Sequence, residues 1–125
     1  MKDLVFKKCL KCGSLVKVIK DCECEDCGIM CCGEKMNLVK ANSVEASAEK
    51  HIPSYEVIGN EMKITVNHVM EEEHYIEWIL VQTENGGYEK HFNSGDVLEF
   101  IVPYTKDSVI YAYCNKHGLW KKVVE

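Results

Sequence analysis

YIEWILVQTENGGYEKHF, residues 75–92, decides the architecture of most of this chain. Tyr75–Thr83 is apolar and β-branched. It stops at Glu84-Asn85-Gly86-Gly87, a strong turn signal, and Tyr88–Phe92 follows. The stretch reads as strand, turn, strand. The pattern repeats on both sides of it. Upstream, YEVIGNEMKITV (55–66) reads as two short strands about a Gly59-Asn60 turn. Downstream, after the turn NSGD, VLEFIV is closed by Pro103, SVIYAYC is another strand and LWKKVV is the last. This makes about seven short strands with no long helical period, the spacing of an antiparallel β-sandwich. The sandwich is assigned residues 38–125. Its first part, 38–50, reads as a linker with one helical turn, capped by Ser43 with Glu45 close behind.

Residues 1–37 are different. Seven of the eight cysteines fall between Cys9 and Cys32, in a segment too small to bury a useful core, so a metal would have to stabilise it. The composition supports metal over disulfides. MKDLVFKKCL shows no apolar signal core and no small-residue cleavage site, so a cytoplasmic location is expected, where thiols more often bind metal. The net charge of −5 argues against nucleic acid and anionic membranes as partners, and no apolar run reaches bilayer-spanning length.

Two CxxCG knuckles stand out, Cys9-Leu10-Lys11-Cys12-Gly13 and Cys24-Glu25-Asp26-Cys27-Gly28. Each glycine lets the backbone turn beneath the sulfurs. By spacing alone, Cys9, Cys12, Cys24 and Cys27 form a tetrahedral thiolate set. The vicinal pair Cys31-Cys32 offers another second half, although adjacent side chains ordinarily point apart. Cys22 adds a further thiol. Spacing does not separate zinc from iron.

All five histidines lie in the sandwich half. His68 and His74 flank VMEEE just before a strand. Cys114-Asn115-Lys116-His117 places a thiol and an imidazole at a strand end, where both can face one metal, and His51 follows Glu49-Lys50 in the linker. His91, mid-strand beside Lys90, reads as solvent-facing. Several imidazoles with one thiolate suit Fe(II), Cu or Zn. A blue-copper site would share the sandwich and the Cys/His pair, but it gives no reason for the N-terminal knuckle.

CLKCG, CCGEKM, EKHIP, HVMEEEHYIEWI and CNKHGLW together resemble desulfoferrodoxin, the two-iron superoxide reductase family of anaerobic prokaryotes. The resemblance covers nearly the whole chain. It implies a mainly β protein, with a desulforedoxin-like domain (1–37) followed by an immunoglobulin-like sandwich (38–125). It further implies an iron tetrathiolate on Cys9, Cys12, Cys31 and Cys32, and a catalytic iron on His51, His68, His74, His117 and Cys114. The implied activity is one-electron reduction of superoxide to hydrogen peroxide. Lys50 would guide superoxide to the site, Glu49 would occupy the open position once iron is ferric, and Lys116 would add local positive field. The implied partners are a rubredoxin-type electron donor and a second copy of the chain. Two features depart from the family pattern. Val69 stands where many members have proline, and the segment between Cys12 and Cys31 is longer and carries Cys22, Cys24 and Cys27. An iron electron-transfer protein and a zinc-binding interaction module are the competing functions.

Overall fold

The structure is a computed structural model and describes residues 3–25, 28–44, 46 and 48–125. Cys27 and Glu45, both of which enter the sequence reading, lie outside these residues. The chain divides into two compact units, Met1–Lys40 and Ala41–Glu125.

In the first unit, β1 (Val5–Lys8) lies between β2 (Leu15–Val18) and a later strand, Asn37–Val39. The Lys8↔Leu15 pairing leaves Cys9–Ser14 as the hairpin turn. That turn is closed by Cys9 N–H to Ser14 O (2.9 Å) and Gly13 N–H to Cys9 O (2.9 Å). Gly13 sits at φ 82, which a side chain at this position would resist. A second hairpin joins β3 (Met30–Cys31) to β4 (Glu34–Lys35). Its two central residues, Cys32 (φ 52) and Gly33 (φ 79), both have positive φ, the pattern that suits two-residue hairpins. β5 (Asn37–Val39) then pairs with β1, so the division between units falls after Lys40. Phe6 and Cys9 are the buried apolar residues among those described here, while Leu10, Ile19, Met30 and Leu38 are exposed.

The second unit opens with a single 3-10 turn, Ala48–Lys50, rather than a turn at Ser43. Seven strands follow among the described residues: β6 (Ser54–Ile58), β7 (Glu61–Thr65), β8 (Ile76–Gln82), β9 (Gly87–His91), β10 (Glu99–Pro103), β11 (Val109–Cys114) and β12 (Gly118–Val123). They form two antiparallel sheets, ordered β10-β7-β6 and β12-β11-β8-β9. The inward rows of both sheets meet in one core. Met62 and Ile64 of β7 and Val102 of β10 pack with Ile79 and Val81 of β8 and Ile110 and Ala112 of β11. The period of two along each strand explains this selection. Full burial of one such side chain stabilises by roughly 1.5–3 kcal/mol. β11 is buried on both faces, and outside the core Tyr113 stacks on its cross-strand partner Trp78 at 5.6 Å.

The pairing register sets up the site. Ser54 pairs with Thr65, Ile76 with Cys114, and Cys114 with Gly118. The start of β6 therefore lies beside the end of β7, and the starts of β8 and β12 beside the end of β11.

Candidate metal centres

His51 precedes β6, His68 follows β7, His74 precedes β8, Cys114 ends β11 and His117 precedes β12. Register within each sheet, together with the packing of the two sheets on one core, carries all five to the same end of the sandwich. One ligand atom from each lies within 4.8 Å of every other. The imidazoles close a ring in the order His51, His68, His74, His117. Neighbouring centroids are 4.7, 4.6, 5.1 and 4.9 Å apart, and each pair is edge to face.

Cys114 continues the inward row Ile110, Ala112, Cys114, and it is 0% exposed. Its Sγ lies 3.4 Å from His68 Nε2 and 3.9 Å from His117 Nδ1, and it accepts the backbone N–H of His117 at 3.4 Å. That N–H is available because a three-residue loop, Asn115–His117, closes on Gly118 at φ 79.

Ring nitrogens of the imidazoles face one another. His51 Nε2 lies 3.0 Å from His117 Nδ1. His68 Nδ1–H donates to Val69 O at 2.6 Å, which leaves Nε2 as the lone-pair nitrogen facing the cluster. His74 Nε2 is buried with no hydrogen-bond partner. A buried unpartnered nitrogen costs about 1–3 kcal/mol, and a cation at the centre removes that cost. Burial first, then the neighbouring imidazoles, holds His68 below the ordinary histidine range, opposed by its bond to Val69 O. Burial, His117 and then Lys116 hold His74 below it. Both are thereby kept neutral and ready to ligate.

Sequence reasoning did not single out two residues that support this cluster. Trp120 stacks on His51 (4.8 Å, 26°) and donates Nε1–H to His117 O at 3.2 Å. Asn115 ties the His74 segment to the end of β11. Both lie inside the CNKHGLW stretch, which was the one available signal. Glu49 and Lys50 occupy the exposed 3-10 turn just before His51, whose N–H bonds to Ala48 O at 3.1 Å. His91 is exposed and pairs with Glu89 at 2.7 Å.

In the first unit the two hairpin turns bring Cys9, Cys12, Cys31 and Cys32 together, again with ligand atoms within 4.8 Å. Cys12 Sγ lies 3.6 Å from Cys31 Sγ, and Cys31 Sγ 3.9 Å from Cys32 Sγ. The positive φ at Cys32 lets adjacent side chains converge where extended backbone would splay them. The Ser14 hydroxyl and backbone, then Cys31 and Cys9, draw the Cys12 thiol down to about 6. Cys31 is pushed up to about 12 by Cys12, Cys9 and Cys32, and Cys12 foremost also raises Cys32. The first proton leaves readily and the next resist, a conflict that a bound cation relieves. Cys22 is held in a disulfide, and the exposed Cys24 is not a member of the four-thiol group.

A tetrathiol domain ahead of a sandwich carrying a four-imidazole, one-thiol cluster defines a two-domain superoxide reductase fold. The desulfoferrodoxin family model matches residues 43–123, and this chain belongs to that family. It is 38% identical over 118 residues to a desulfoferrodoxin of Nitratidesulfovibrio vulgaris, with 91% of each chain covered. It is 38% identical over 119 residues to a desulfoferrodoxin homolog of Archaeoglobus fulgidus, covering 91% of this chain and 92% of the other. The superoxide reductase from Treponema pallidum superposes with a TM-score of 0.70 at 30% identity, covering 97% of this chain and 99% of that one. No helix among the described residues is long and apolar enough to cross a membrane.

Proposed function

We propose that this chain is a superoxide reductase, with a single non-haem iron held by His51, His68, His74, His117 and Cys114. The observation that carries the reading is the closed ring of four imidazoles about a buried thiol, with His74 Nε2 buried and otherwise unpartnered. Borderline imidazoles with one soft thiolate suit Fe(II). When bound, ferrous iron supplies the one electron of the reaction, and the cysteine thiolate enriches its electron density. The balance is superoxide plus one electron and two protons, giving hydrogen peroxide.

The chain's own groups do the rest. Cys114, fully buried in the core row, would offer its thiolate to the iron from the core, leaving solvent-side access for the substrate. The His117 N–H and the turn at Gly118 hold the sulfur in place. Lys50, on its exposed turn beside His51, gives an acidic protein a local cation for a small anionic substrate. Lys116 adds positive field near His74. Glu49, on the same exposed turn, would be the carboxylate that caps the site once the iron is oxidised.

Cys9, Cys12, Cys31 and Cys32 are proposed to hold a second iron that accepts electrons from a rubredoxin-type donor. Cys12 and Cys32 are exposed, which suits electron entry. A cytoplasmic homodimer in an anaerobe is the proposed setting. The family resemblance supports it, as does the small core of the first unit, which would gain from an interface.

The deciding experiment is product stoichiometry on the iron-loaded chain. One peroxide should form per superoxide consumed, without oxygen release, and Cys114→Ser should abolish it. Iron that cycles between oxidation states without consuming superoxide would favour the electron-transfer reading. A zinc-filled, redox-silent protein would favour the zinc module.

A further inference from the structure

The regular pairing of β11 with β8 breaks just where the cluster begins. Tyr113 pairs with Trp78, but Cys114 pairs with Ile76, so the ladder shifts between these two residues. Beyond that irregularity the segment carrying His74 has no further strand to hold it. Asn115 takes over the pairing. Its backbone N–H donates to Tyr75 O at 3.2 Å. Its side chain then makes two more bonds: Oδ1 accepts the Tyr75 N–H at 3.0 Å, and Nδ2–H donates to Glu73 O at 2.9 Å. The peptide groups on both sides of His74 are therefore fastened to the residue that follows Cys114. The backbone of His74 itself bonds only within its own loop, to Glu71 (3.0 and 3.3 Å).

From this geometry we infer that Asn115 is the positioning residue of the cluster, locking the His74 imidazole to the Cys114 thiol through Glu73 and Tyr75. The inference rests on the proposed function, since it assigns these two groups to one metal. The chemistry requires this side chain. A planar amide offers one acceptor and one donor at once, and the two backbone groups it meets need one of each. Aspartate keeps the acceptor but sets a carboxylate oxygen against the Glu73 carbonyl. Alanine loses both bonds. Because the His74 ring reaches the rest of the cluster from a loop, its place relative to Cys114 is only as definite as this clamp.

The test is a double-mutant cycle on the full-length chain, reading the Fe(II) dissociation constant of the site by competition with an Fe(II) chelator. The site is identified as the iron lost in Cys114→Ser. Asn115→Ala should weaken Fe(II) binding by about 10–100-fold, the usual cost of removing a group that orients a ligand. His74→Ala should weaken it at least as much. The double variant should be no weaker than His74→Ala alone, because a clamp that acts through His74 has nothing left to act on. Asn42→Ala is the matched control. Asn42 makes a similar two-bond bridge to the Lys121 backbone (3.4 and 2.9 Å), so its loss should lower stability and leave Fe(II) affinity unchanged. If Asn115→Ala does not fold, Asn115→Asp replaces it in the same cycle. An Asn115 variant within two-fold of the unmodified chain, or multiplying effects in the double variant, would overturn the inference. Equal iron content in the unmodified chain and in Cys114→Ser would instead overturn the proposed function, and the positioning role with it.

Discussion

The two clusters are built by opposite means. The tetrathiol cluster draws its ligands from two tight turns, Cys9–Cys12 in one hairpin and Cys31-Cys32 in another, within a unit whose described buried apolar residues are Phe6 and Cys9. The imidazole cluster gathers residues spread from His51 to Cys114 and His117, each at a strand end of a sandwich with a continuous core. In the first unit the ligands are local and few described apolar residues are buried, so the fold is expected to depend on a bound ion. In the second the fold stands on apolar burial, and the site is its by-product. A metal is therefore expected to be a structural requirement at the first site and a guest at the second.

Metal removal is the harshest way to break this comparison. Structural tetrathiolate-type sites contribute about 10–16 kcal/mol, as much as the whole stability of an ordinary domain. Stripping all metal should leave residues 3–40 without protected amides while the sandwich stays folded. Hydrogen exchange read along the chain checks this. Protection retained in β1, β2 and β5 would show that the first unit folds without its ion.

Ligand substitution sharpens the first half of the comparison. Cys31→Ser should abolish or shift the tetrathiolate absorption. Cys24→Ser with Cys27→Ser should leave it intact, because Cys24 is not a member of the four-thiol group. The reverse pattern would move the site onto the two knuckles.

Acid sharpens the second half. His68 and His74 are held below the 6.5 of a free histidine, so the unfolded chain binds more protons than the folded one between the two values. The stability they leave intact is fully present above about 6.5 and is lost as pH falls toward the depressed folded values. Denaturation of the metal-stripped chain, followed by tryptophan fluorescence, should give a midpoint that declines on acidification through this window. Trp78 and Trp120 are the only tryptophans and both lie in the sandwich, so the signal reports on that unit alone. A midpoint that is flat from neutrality downward would contradict the burial described for these rings.

The smallest effect is expected at Lys50. Lys50→Ala should slow superoxide association by a few-fold, on the order of what one nearby cation contributes, and should flatten its dependence on ionic strength. Stopped-flow or pulse-radiolysis rates at low and high salt check this. An unchanged low-salt rate would return Lys50 to an ordinary solvated loop.

Much of this was legible in the residues themselves. The turn cluster at Glu84–Gly87 and the β-branched runs around it identify the sandwich, because hairpin chemistry and the period of two are local properties of the chain. The CxxCG knuckle at Cys9–Cys12 and the Cys114/His117 pair were visible for the same reason. Elsewhere local rules misled or fell silent. Spacing favoured Cys24 and Cys27 over Cys31-Cys32, since it takes neighbouring side chains to diverge, and the positive φ at Cys32 shows up only in the folded hairpin. The roles of Asn115 and Trp120 had no local signature, because their partners lie up to 42 residues from Asn115 in one case and across an imidazole face in the other. The sequence by itself determined the strands, the turns and the kinds of ligand available, all of which depend on near neighbours along the chain. Only the tertiary structure decided which ligands meet and what holds them there, because register within each sheet brings the start of β6 to the end of β7 and the starts of β8 and β12 to the end of β11, and the packing of the two sheets on one core brings these ends together.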